Sequence, residues 1–176
     1  MQIAIVAAMA ALAFAPAADL KIGEPVSDIA LGKDSLAALS KEGKVVAVYF
    51  WSCDCPYGPP NYPNIKAAAD KFADNAKVKI IVVSSSGEPE AKGVAWSKDI
   101  GLKAAFVYDE GKKIAKHFTP KKVNATFVID AKGHLVYRGG IADGETNLLI
   151  EAINAALEGK EAPKSDQKFQ GCGIGT

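Results

Sequence analysis

"KVVAVYFWSCDCPYGPP", Lys44 to Pro60, decides the fold. After the lysine every residue up to Trp51 is apolar or aromatic, and β-branched types lead the run, which predicts a strand buried on both faces of a sheet. The run ends in two cysteines one residue apart, Cys53 and Cys55, followed by Pro56, Gly58 and two further prolines. A thiol placed where a strand hands over to a helix faces unpaired N–H groups and the positive end of the helix dipole, so its thiolate is stabilised. Cys55, directly before Pro56, is the nucleophile that this placement selects. The competing reading of the same residue is a small buried apolar side chain.

Outward from this strand the pattern alternates. Asn61 to Asn75 carries apolar residues at Ile65, Ala68, Ala69 and Phe72, a helical spacing, with Pro63 set to kink its first turns. Val78 to Ser86 reads as a second buried strand, Glu88 to Gly101 as a helix stopped by its glycine, Ala104 to Glu110 as a strand, and Gly111 to Phe118 as a short helix. Two alternating runs around a glycine-bearing turn, Ala125 to Gly139, predict a hairpin. Glu145 to Gly159 carries an amphipathic stripe through Leu148, Leu149, Ile153, Ala156 and Leu157. Before the central strand, Val26 to Leu31 suits an edge strand, and Asp34 to Gly43 suits a short helix capped by Asp34. The expected fold class is therefore α/β, a central mixed β-sheet flanked by helices, with the cysteines at the carboxyl end of its central strand, where such sheets place their chemistry.

The chain has 176 residues, 21 basic and 20 acidic. That suits one globular domain, and no run of like charge is present that would follow a phosphate backbone, so no nucleic-acid partner is expected. Ile3 to Ala18 is apolar and uncharged, and Ala15-Pro16-Ala17 supplies small residues for a signal peptidase. We read residues 1–17 as a cleaved signal peptide, 18–158 as the domain and 159–176 as a C-terminal tail; a membrane anchor is the rival, but the stretch is short and holds a proline. The expected location is thus exported, periplasmic or extracytoplasmic, without stable membrane insertion. Oxidising surroundings allow disulfides. The 3 cysteines cannot all pair within one chain.

The series Phe50-Trp51, Cys55-Pro56-Tyr57-Gly58, Asn61-Tyr62-Pro63-Asn64-Ile65, and the later "FVYDEGKKIAKHF" and "ATFVIDAKGHLVYRGGI" resembles the thioredoxin-like superfamily, in particular its exported redoxin and AhpC/TSA, peroxiredoxin-like branch. The resemblance implies a thioredoxin-like fold, thiol redox chemistry without a cofactor, and a substrate groove around Trp51, Pro56, Tyr57, Ala125 and Thr126. It also implies partners: a protein or small-molecule disulfide or a peroxide, and a reducing thiol. Three departures stand out. Gly58 fills the slot of the usual resolving cysteine, Asn61 replaces a glutamate, and Ala125 stands where the family has a cis-proline, which makes a trans bond the expected form there.

Two thiols are candidates to resolve Cys55. Cys53, two positions away on a strand end, would lie on the same side with Cα atoms about 6.6 Å apart, near the upper limit for a disulfide. Cys172, in the glycine-flanked tail "FQGCGIGT", can reach the site at about 3.3 Å of extended chain per residue. The main expectation is a thiol-disulfide oxidoreductase. A thiol peroxidase is the alternative, with Ser52 in the hydroxyl slot, Val48 in the proline slot and Arg138, the lone arginine, as the cation. A copper-binding module through Cys53 and Cys55, completed by Cys172 or His117, is a third reading. No metal ligand set is assigned.

Overall fold

The computed structural model describes residues 20–175, so the signal segment read at residues 1–17 lies outside the described residues. Strand β3, Val45–Trp51, is the centre of a five-stranded sheet and is buried along its whole length. On one side it pairs in parallel with β4, Val78–Ser84, which pairs in parallel with β5, Ala105–Tyr108. On the other it pairs antiparallel with β6, Ala125–Ile129, and β6 with the edge strand β7, Leu135–Gly140. The expected mixed sheet is present. A small antiparallel pair, β1 (Ala30–Leu31) and β2 (Asp34–Ser35), lies outside it.

Alternation along β3 divides the core. Val46, Val48 and Phe50 face one apolar cluster, completed by Leu36 and Leu39 of helix α1 (Leu36–Lys41) and by Ile114, Ala115 and Phe118 of α4 (Lys113–Phe118). Val45, Ala47, Tyr49 and Trp51 face the other, completed by helix α2 (Tyr62–Phe72), by Trp96 of α3 (Glu90–Asp99) and by the Leu148, Leu149, Ala152 and Ile153 stripe of α5 (Leu148–Glu158). Burial on both faces explains why β3 reads as an unbroken apolar run. α5 stops at Gly159, whose φ of 62° is the left-handed conformation that caps helices.

Three local expectations are corrected. Asp34 does not cap α1; it belongs to β2, and the Ser35 side chain accepts from the Ala38 N–H at 3.2 Å. The edge strand expected over Val26 to Leu31 shrinks to two residues, because its partner segment turns straight into α1. Pro63 does not kink α2; it sits in the first turn, where a missing N–H leaves no bond unmade. Among the described residues no helix is long and apolar enough to cross a membrane.

A candidate redox site beneath the C-terminal tail

Cys55 lies just beyond the end of β3 and is 2% exposed. It forms a disulfide with Cys172, 117 residues away, with Cα atoms 5.8 Å apart. Closing that much chain stabilises a fold by about 5 kcal/mol in the simple chain-entropy view. The helix expected to start at Pro56 does not begin there. A turn closes from the Gly58 N–H to the Cys55 carbonyl at 2.9 Å, a 3-10 turn covers Pro59–Asn61, and only then does α2 start. An α-helix begun at Pro56 would need N–H groups from Pro59, Pro60 and Pro63, which prolines lack. The donor that meets the Cys55 sulfur is instead the Cys172 backbone N–H, at 3.1 Å.

The tail is bound along its length. Asp166 N–H donates to the Arg138 carbonyl at 2.7 Å, Phe169 packs against Gly140, and the Val123 N–H donates to the Cys172 carbonyl at 2.8 Å. Lys122 and Gly173 form a bridge, and Ile174 enters the cluster that holds Cys55. Gly171 makes the approach possible, since a Cβ there would collide with the Val123 carbonyl.

Asn124 ties these parts together. It is 1% exposed with a φ of 71°, a left-handed conformation that asparagine tolerates better than most residues. Its side-chain oxygen accepts from the Tyr49 hydroxyl at 2.7 Å, and its amide donates to the carbonyls of Tyr57 at 2.8 Å and Gln170 at 3.1 Å. Its own N–H donates to the Phe50 carbonyl at 2.8 Å. One buried residue thus joins the central strand, the cysteine loop and the tail. The Tyr49 phenol, whose pKa burial pushes up, stays a donor. No cis peptide occurs among the described residues, so the bond before Ala125 is trans as expected.

Cys53 goes elsewhere. The expectation that it shares a side with Cys55 assumed strand geometry, but β3 ends at Trp51 and the chain turns, leaving Cys53 half-buried against the cluster on the opposite face. Its thiol donates to Asp54 at 3.4 Å, and burial first, then that carboxylate, pushes its pKa up. Asp54 pairs with Lys92 at 3.2 Å. Nearby, both carboxylate oxygens of Glu88, a residue only 4% exposed, make no hydrogen bond.

Of the residues expected to line a groove, Tyr57 is 45% exposed and Pro56 is exposed beside the disulfide. Ala125 is buried in the cluster with both bonded cysteines. Trp51 is fully buried, tilted against Trp96 at 4.6 Å and meeting Phe106 edge-to-face at 5.5 Å, and Thr126 is buried beside Tyr49, so neither offers a surface to a substrate. Arg138 grips Asp166 through two bonds of 2.8 Å and donates to the Leu20 carbonyl, and the Ser52 hydroxyl accepts from the Asp54 N–H. His117 faces the Ser27 and Asp28 segment, and His134 sits at the hairpin turn, at the end of the sheet opposite the disulfide. Among the described residues no three His, Cys, Asp or Glu side chains are grouped to hold a metal.

Asn124 is the site residue that sequence reading missed; Gly58 and the glycines beside Cys172 were singled out there, but not the contacts that constrain them. Adding a Cβ at Gly58 would place it 3.0 Å from the Ser52 carbonyl and 3.0 Å from the Tyr62 hydroxyl. A side chain in the slot of the usual resolving cysteine would be tightly packed and would need these neighbours to give by a few tenths of an ångström.

A mixed, helix-flanked sheet with a cysteine just beyond the end of its central strand is the thioredoxin-like fold, and solved structures share it. A hypothetical protein from Sinorhizobium meliloti superposes with a TM-score of 0.77 at 21% identity, covering 88% of this chain and 94% of that one. An uncharacterized conserved protein from Geobacillus kaustophilus gives 0.76 at 19%, covering 88% and 92%. A thiol:disulfide interchange protein of the thioredoxin family from Chlorobium tepidum gives 0.60 at 20%, covering 80% and 99%. The AhpC/TSA family model matches residues 14–138, and the chain belongs to that family. No curated protein matches the chain by sequence.

Proposed function

We propose that the protein is an exported thiol-disulfide oxidoreductase whose redox couple is Cys55 and Cys172. The observation that carries this reading is the bond between a cysteine just beyond the end of the central strand and one delivered by the tail. The interchange activity named for the Chlorobium tepidum relative is in keeping with it.

Exposure assigns the order of events. In reduction of the protein, an incoming thiolate attacks the sulfur of half-exposed Cys172, because Cys55 is only 2% exposed. The bond breaks with its electron pair going to Cys55, and the Cys172 N–H stays near that sulfur to stabilise the thiolate. A second thiolate then frees Cys172. In the opposite direction the Cys55 thiolate attacks a substrate disulfide once the tail uncovers it. Cys53 is outside the couple, on the other face.

Differential alkylation with peptide mapping tests this, alongside Cys55→Ser and Cys172→Ser. A Cys55 to Cys172 bond that opens with mild reductant and re-forms, and loss of partner reduction in both variants, are expected. Full activity in Cys55→Ser would overturn the proposal. Export is tested separately by sequencing the N-terminus of protein recovered from outside the cytoplasm; an intact Met1 there, or retention inside, would refute cleavage at residue 17.

A further inference from the structure

The tail that carries Cys172 arches over a cavity of about 950 Å³, within the range of small-molecule sites. Its floor is the face of the β6–β7 hairpin: Ala125 and Phe127 point into the cluster that holds the disulfide, and Phe127 stands opposite Arg138 in the strand register. Beside the cavity the tail crosses this face at Gly140. A Cβ there would lie 2.7 Å from the Phe169 side chain, so only glycine lets Phe169 close the roof.

The lining is electrically one-sided. Among the described residues Lys121, Lys122, Lys168 and Arg138 face it with one carboxylate, Asp166, which Arg138 grips. Cations around a partly enclosed apolar recess concentrate anions there. The end of the cavity at Gln170 is two residues short of Cys172, roughly 7 Å of extended chain. An anion held by the lysines can therefore carry a sulfur to the disulfide.

We propose that this cavity binds a small organic acid with an apolar body, and that its thiol or disulfide form is the exchange partner of the Cys55–Cys172 couple; the second half rests on the redox reading above. The ligand thiolate attacks the Cys172 sulfur, and the electron pair of the broken bond passes to Cys55, which takes a proton from water. A second ligand thiolate displaces Cys172 and leaves as the ligand disulfide, so two thiols are oxidised as one protein disulfide is reduced.

The binding half is tested without any redox chemistry. The disulfide-bonded full chain is titrated with 4-(methylthio)benzoate and with its uncharged methyl ester, following backbone amide shifts. Saturable shifts at Phe127, Gly139 and Lys168 are expected with the acid. The ester, and the acid on the Lys121→Glu, Lys122→Glu, Lys168→Glu triple variant, should each bind about tenfold more weakly or worse. These lysines are exposed, so the variant keeps its fold. Equal binding of acid and ester, no saturable binding, or shifts elsewhere overturn the site, whether or not the chain is a redox protein.

For the exchange half, the reduced chain is oxidised by 4,4′-dithiodibenzoate and by uncharged 4,4′-dithiodipyridine. The triple variant should slow about tenfold with the dicarboxylate and keep its rate with the neutral reagent. Equal slowing, or none, overturns the partner assignment. Reaction with neither reagent at Cys55 or Cys172 overturns the redox reading itself, even where the acid binds.

Discussion

At Gly58 the backbone turns where a side chain would be crowded. The Ser52 and Cys55 carbonyls and the Tyr62 hydroxyl would all crowd a Cβ, at 3.0 to 3.1 Å, so placing a cysteine here is not a neutral change. Gly58→Cys should destabilise the fold by about 1–3 kcal/mol, as overpacking does, and mass mapping should still find Cys55 bonded to Cys172. Cys53 gives a second prediction. Burial and the Asp54 carboxylate hold its pKa above the ordinary value, so the neutral thiol dominates at neutral pH. Iodoacetamide should label Cys53 more slowly than a free thiol at pH 7.5, with the rate rising into the alkaline range, and Asp54→Asn should speed it. Equal rates for Cys53 and a free thiol would argue against that environment. Cys55 was legible from its place after an apolar strand and before a proline. Asn124 was not, because its side-chain partners lie 75, 67 and 46 residues away, and only its tolerance of positive φ hinted at a special role.

Among elements, the tail was the hardest to foresee. Its last residues form no strand or helix of their own, and what holds them is pairing to the segment before β6. Flanking glycines signalled close approach but not which of them needs it. The contacts separate the two: a Cβ on Gly171 would strike the Val123 carbonyl, whereas one on Gly173 meets nothing within 4 Å. Gly171→Ala should lift the tail, slow re-formation of the Cys55–Cys172 bond at least about tenfold, a barrier higher by about 1.4 kcal/mol, and raise the labelling of Cys55. Gly173→Ala should leave both unchanged. Matching behaviour of the two variants would mean that the tail is not docked through Val123. The β3 strand, the hairpin and α5 were legible because burial on one or both faces writes a period into the sequence. The start of α2 was obscured by prolines, which suit a first helical turn and a loop equally well.

For the whole molecule, burial of His117 sets the pH response between neutral and mildly acidic conditions. His117 is half-buried on α4, and burial lowers its pKa from 6.5, while the Ser27 backbone and Asp28 act in the opposite direction. A lowered histidine pKa means that the unfolded chain takes up the proton first. Stability is then complete above pH 6.5 and falls as pH drops from there to the folded-state pKa. Asp34, Asp70 and Asp166 are lowered from 3.8 by their lysine and arginine partners and act below that value, outside this window. Denaturant unfolding at pH 7.5 and 5 should show the loss, and His117→Gln should flatten it; an unchanged slope in the variant would assign the effect elsewhere. The sheet order and both clusters followed from patterning, whereas the joining of the two cysteines across 117 residues depended on which way a short turn faced. That separation also governs timing during synthesis. A nascent chain halted anywhere between the two cysteines displays Cys55 without Cys172, so the bond between them forms only after β4, the hairpin and α5 have been made, and a prematurely terminated product lacks this cross-link.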